Sequence, residues 1–173
     1  MINKAAVMRW VLIVCAAPWL SSCAAAPKTV GEFRAAMSQG PAFTKQEAHD
    51  INREFSLVVK DVERKSKECL NFGYNRTQST GIGTHHTTTI VYHPRVRMAG
   101  EGKAEMFLQM EHIPKAIGSP DGGAYIFLTD IKKTSPSKTH MNMYGPSFPT
   151  WRPIFNAVKG WGEGKNVKCP GVP

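Results

Sequence analysis

Five histidines, His85, His86, His93, His112 and His140, fall in stretches that read as strands. Histidine is the commonest metal ligand and general base. On one strand, His85 and His93 face the same side but stand about 27 Å apart at roughly 3.4 Å per residue, too far to share an ion. His86 can meet a histidine on a neighbouring strand only if the register allows it. The expectation is therefore exposed strand histidines and no metal site. Two glycine-rich stretches, "GIGTHH" and "AGEGK", lack the spacing of a phosphate-cradling loop and read as hairpin turns. "GSPDGG" carries an acid but lacks the alternating oxygen ligands of a calcium loop. No GxSxG is present, and no carboxylate pair is readable as an acid/base couple. The sequence thus predicts no catalytic residue, no metal and no cofactor, and leans away from an enzyme.

Cys23 is a different kind of group. It closes Leu20-Ser21-Ser22-Cys23, just behind an apolar run over residues 10–20. The nine residues before that run carry Lys4 and Arg9 and no acid. Basic, apolar and small segments in this order make a secretory leader. The run is shorter than the roughly 20 residues a membrane span needs, and Pro18 interrupts it. Leu20-Ser21-Ser22-Cys23 resembles the lipobox of bacterial lipoproteins at all four positions. The resemblance implies cleavage before Cys23, a diacylglycerol on its thiol and an acyl chain on its amine. Such chains anchor by about 0.8 kcal/mol per buried methylene. Ala24, where an Asp would signal otherwise, is similar to the outer-membrane sorting pattern. The expected organisation is a signal peptide over 1–22, a lipidated tether over 23–31 and one domain over 32–173. The expected address is the periplasmic face of the outer membrane, with the inner membrane or the cell surface as alternatives.

That address settles the other cysteines. Cys15 leaves with the leader and Cys23 carries lipid, so Cys69 and Cys169 remain as a pair in an oxidising compartment. A disulfide between them would close a loop of about 100 residues, worth at most about 4.7 kcal/mol by chain entropy. Two buried free thiols are the alternative; a zinc site is disfavoured because neither has a CxxC partner. The formal charge of +9 falls to about +7 without the leader. The lysines and arginines are scattered, which reads as a solvated basic surface and not a nucleic-acid footprint.

Several elements must position these groups. "GEFRAAMSQG" reads as a short helical turn and "KQEAHDI" as a first strand. In "REFSLVVKDVERKSKECLNFG", Phe55, Val58, Val59, Val62, Cys69 and Leu70 follow helical spacing, with Ser56 as N-cap and Asp61–Lys65 as an i,i+4 pair. Strands follow at "NFGYNRTQST", "HHTTTIVYHPRVRM", "AEMFLQMEHI", "AYIFLTDIKK" and "THMNMYG". In the third of these, Met106, Leu108 and Met110 oppose Glu105, Gln109 and Glu111, while Phe107 and Ile113 break the alternation. The fourth is apolar on both faces and so central. A closing helix puts Trp151, Ile154, Phe155, Val158 and Trp161 on one face, with Thr150 as cap and Gly160 and Gly162 as its end.

The fold class expected is α+β: a curved antiparallel sheet of about five to six strands with two main helices on one face. This order resembles the helix-grip folds, including domains of outer-membrane assembly lipoproteins. It is a resemblance of topology and implies no activity. The leading functional expectation is a non-enzymatic envelope lipoprotein that binds a protein or envelope component, with the membrane as partner through its lipid. An apolar ligand-binding module, its cavity lined by methionines and Trp161, is the second reading. An envelope hydrolase is the third.

Overall fold

The computed structural model describes residues 27–40, 43–79, 81, 83–115 and 117–171. The leader, Cys15 and the Leu20–Cys23 motif lie outside the described residues. The elements run α1 (Val30–Ser38), β1 (Thr44–Ile51), α2 (Phe55–Leu70), β2 (Gly73–Ser79), β3 (His85–Gly100), β4 (Lys103–Ile113), β5 (Ala124–Ser135), β6 (Lys138–Pro146) and α3 (Arg152–Gly162).

Six strands form one antiparallel sheet in the order β1-β6-β5-β4-β3-β2. Strands β2 to β6 follow one another as a meander. Strands β1 and β2 are consecutive in the chain yet occupy opposite edges, five strand spacings or about 24 Å apart. Helix α2 makes that crossing. Its 16 residues rise about 24 Å, so its length matches the width of the sheet. Register irregularities at Met98/Gly100, Leu108/Gln109 and Lys133/Ser135 bend the sheet. The architecture is the α+β helix-grip arrangement, with α2 and α3 together on one face.

That face carries the main core. Val58, Val62 and Leu70 of α2 meet Ile154, Phe155, Val158 and Trp161 of α3 over Met106, Leu108, Phe127, Met141 and Met143. The opposite face holds a second cluster, Val30 and Phe33 of α1 on Phe107, Leu128 and Tyr144. This explains the broken alternation of β4: Phe107 lies under a helix the sequence reading took for a short turn. Helix α1 starts at Val30, two residues inside the expected tether, because Thr29 caps it. The Thr29 hydroxyl accepts from the Glu32 amide (3.1 Å), and the Glu32 carboxylate accepts from the Lys28 amide (2.8 Å).

Other local expectations shift. Glu54, not Ser56, is the N-cap of α2, and the Ser56 hydroxyl donates to the Glu54 carboxylate at 2.6 Å. Asp61 pairs with Arg53 and Arg64, and Lys65 with Glu68, so no Asp61–Lys65 pair is needed. Before α3, Pro149–Trp151 form a 3-10 turn and Trp151 is the N-cap, so Thr150 does not cap the helix. Gly162 is the last residue of α3, as expected, and Gly160 lies two residues before it. They are places of close approach: a Cβ on Gly160 would sit 2.3 Å from Val167, and one on Gly162 2.5 Å from the Met141 sulfur. The chain leaves the helix at Gly164, with φ +76°. There the amide of Lys165 donates to the carbonyl of Gly160 at 2.8 Å.

The tail then follows α2 as an extended strap. Val167 packs on the main core, and Cys169 is bonded to Cys69 with Cα atoms 5.0 Å apart. Arg53 fastens the other end, donating to the Gly162 carbonyl (2.8 Å) and to Asp61 (2.9 Å). The bond closes a loop of 100 residues. Replacing both cysteines by serine should lower stability by about 2–4 kcal/mol, read as a shift in urea midpoint at unchanged m-value. Gly123 holds φ +90°, and a Cβ there would lie 2.1 Å from the carbonyl oxygen of Met110. Gly123→Ala should therefore cost at least about 2 kcal/mol by the same measurement.

Candidate functional site

The face under α1 carries the polar side chains of the central strands in rows set by register. One row reads Arg97, Glu105, Asp130, Asn142 from β3 to β6. Glu105 and Asp130 stand directly opposite each other, an arrangement that repels unless a cation intervenes. Arg34 of α1 supplies it. Its Nε and Nη2 donate to the two Asp130 oxygens at 2.9 and 2.7 Å, and Nη2 also donates to Glu105. Arg97 donates to the other Glu105 oxygen at 2.8 Å. The Asp130 hydrogen bonds, then that of Glu105, push the Arg34 guanidinium's proton affinity up against the cost of burial. Burial raises the Glu105 carboxyl, but the hydrogen bonds from Arg97 and Arg34 outweigh it and hold the group below the usual carboxylate range. A carboxylate locked in the ionised form is a structural clamp and a poor general acid.

The histidines are distributed among separate partners. His93 lies 3.0 Å from Glu111 and His140 2.7 Å from Asp50. His85 lies 2.9 Å from the Ser79 hydroxyl. His49, which the sequence reading did not single out, pairs with Glu47 at 3.2 Å. Lys115, then His93, hold the Glu111 carboxyl low. No group of three or more metal-ligating side chains forms among the described residues.

The space beneath α3 is filled. Met106, Met141, Met143, Val158 and Trp161 are all 0% exposed, and the cleft of about 180 Å³ that reaches Trp161 lies between α2 and the tail and opens outward. Met98 is 58% exposed and Met110 lies at the margin of the core, so the methionines do not converge on one groove. Two polar atoms in this interior, Thr129 Oγ1 and Trp161 Nε1, have no hydrogen-bond partner.

Clefts open instead on the outside. One of about 580 Å³ lies at the end of the sheet where β3 turns into β4 and β5 into β6, walled by Phe55, Glu101, Lys103, Lys132, Lys133 and Ser135. A second, of about 350 Å³, shares Lys103 and Lys132 and reaches Arg34, Glu105 and Asp130. At the opposite sheet end, the exposed rings of Phe43 and Phe148 stack with centroids 5.7 Å apart. The basic cleft is not legible in the sequence because its lysines come from two separate strands, β4 and β5, and only the register brings them together. The capping pattern Thr29-x-x-Glu32 was a readable sign of α1, and so of Arg34's position.

No family model and no curated protein matches the chain. Among the solved structures with a distant likeness are the following three. A START superfamily protein from Mycobacterium smegmatis is 10% identical, with TM-score 0.32 over 70% of this chain and 95% of that one. An uncharacterised protein from Rhizobium leguminosarum is 10% identical, with TM-score 0.28 over 69% and 88%. A protein from Nitrosomonas europaea is 8% identical, with TM-score 0.29 over 70% and 88%. Likenesses this remote carry no functional argument.

The Arg34 clamp has a pH signature. A carboxyl whose affinity for protons is lowered by folding stabilises the fold above its unfolded value, about 4.3 for Glu. That contribution is lost as pH falls through the lower folded value. Glu105 should therefore make wild-type stability decline below about pH 4, measured by urea unfolding across pH 2–7. Glu105→Gln should start lower at pH 7 and show a shallower decline.

Proposed function

We propose that this protein is a non-enzymatic binding domain of the bacterial cell envelope, held on the periplasmic side of the outer membrane by lipid on Cys23. The lipobox resemblance supports the address. With α1 starting at Val30, residues 23–29 reach at most roughly 25 Å, so the domain stays beside its bilayer. The observation that carries the binding role is the closed core beneath α3 beside open basic clefts at the sheet end. A ligand meets the domain on its outside. The ion-paired state of Glu105 and Asp130 and the separate histidine pairs speak against an envelope hydrolase.

A second reading, an apolar ligand held between α3 and the sheet, has one observation in its favour. Thr129 Oγ1 and Trp161 Nε1 are polar atoms left unpaired in that interior, each costing about 1–3 kcal/mol. It requires α3 to move, and native mass spectrometry of the purified chain would reveal the added mass.

The address is tested by feeding cells labelled palmitate. The wild type should take up label and Cys23→Ala should not; equal labelling of both would sink the anchor. Crosslinking in intact cells should then trap an envelope component against the wild type and lose it in the unanchored variant.

A further inference from the structure

Lys103 and Lys132 are register partners on adjacent strands, with both side chains on the face under α1. Lys132 also faces His140 of β6. Like charges directly opposite on a sheet destabilise it. One row away, the same problem between Glu105 and Asp130 is solved by Arg34. The lysine row has no such solution: among the described residues, Lys103, Lys132 and Lys133 have no carboxylate within ion-pair distance. This sets them apart from Arg34, Arg53, Arg64 and Lys165, each of which is paired. All three lysines are exposed and wall one cleft of about 580 Å³. Glu101 is the acid in that wall, which leaves an excess of two positive charges, three lysines against one glutamate. The hydroxyls of Thr134 and Ser135 add neutral donors, and the ring of Phe55 an apolar side.

We propose that this cleft binds a phosphate-bearing anion, with Lys103 and Lys132 as the direct cationic contacts, while Lys133, the next residue of β5, starts from the other face of the sheet and adds charge at the cleft's edge. A phosphate placed among them turns a repulsive pair into a bridged one, as Arg34 does for the carboxylates. Ammonium groups on flexible stems suit it, since each offers three donors without a fixed fork. A phosphodiester of a lipid headgroup and a soluble phosphorylated compound present the same chemistry. The inference deepens the proposed surface-binding role and rests on it. Its failure is separable, because palmitate labelling of Cys23 does not depend on the lysines.

The test is calorimetric titration of the full chain in uncharged detergent micelles. Two probes distinguish the sources: glycerophosphoglycerol for the lipid headgroup and inorganic pyrophosphate for the soluble anion. Binding of either, weakening as salt is raised, supports the site. Lys103→Gln and Lys132→Gln should each weaken binding about tenfold or more, as loss of a charged hydrogen bond does. Glu101→Gln should tighten it, and Lys67→Gln on α2, paired with Glu63, should leave it unchanged. Without anion, Lys132→Gln should melt no lower than wild type, since it relieves repulsion. Absence of binding to both probes, or binding that neither lysine variant weakens, overturns the proposal.

Discussion

The structure depends on burying both faces of its two central strands. Strands β4 and β5 present Met106, Leu108, Phe127 and Ile131 to one side and Phe107 and Leu128 to the other. At about 25 cal/mol per Å² of apolar surface, neither side can be left to water. The helices follow from this demand. Two of them, α2 and α3, close the larger face, and α1 closes the smaller. The same strands also carry Glu105 and Asp130 side by side, so α1 must bring a cation as well as an apolar stripe. Arg34 and Phe33, neighbours in sequence, meet both needs. The clamp fixes where α1 lies, and α1 then decides which part of the second face stays open. That part is the end bearing Lys103 and Lys132.

The parts of this architecture that rest on periodicity were legible in the sequence. The stripe of α2, the apolar face of α3 and the strands from β2 to β6 are local patterns, and each lies where its spacing places it. The both-faces apolar start of β5 foretold its central place between β4 and β6. The misses have a common cause, which is that they concern contacts between distant segments. Phe107 looks like an irregularity because the helix that covers it comes much earlier in the chain, over Val30–Ser38. Gly162 does end α3, but nothing local shows that Gly160 and Gly162 also admit close neighbours. Their real partners, Val167 and Met141, come from the tail and from β6. The row of lysines is invisible without the register of β4 against β5, since one residue of slip would send them to opposite faces.

The closed core bears on function through what it removes. A sheet covered by a helix can enclose a ligand only where the side chains between them leave room. Here that volume holds three methionines and a tryptophan at full burial. Methionine fills irregular gaps because its unbranched chain bends to fit, so these side chains close the very space a ligand would use. Closing it stabilises the domain by burial. The disulfide acts in the same sense. It pins the tail along α2, and Val167 then holds α3 down at Gly160. Any opening of α3 has to release that strap first.

On the proposed reading, anchor and binding surface also share one element. The segment leading from Cys23 enters the fold at Thr29, directly into α1, and α1 is fastened by Arg34 to the strands that carry the lysine row. A tether of at most roughly 25 Å limits how far that row can stand from the bilayer. A positive surface held within a few Debye lengths of anionic headgroups feels their field, at about 8 Å screening length in physiological salt. Attraction of this kind would orient the domain as well as retain it. The row beside α1 would be drawn towards the membrane and the strap-covered α2–α3 face turned away. On that reading a covalent anchor would supply proximity and the unpaired lysines direction, and neither alone would do both.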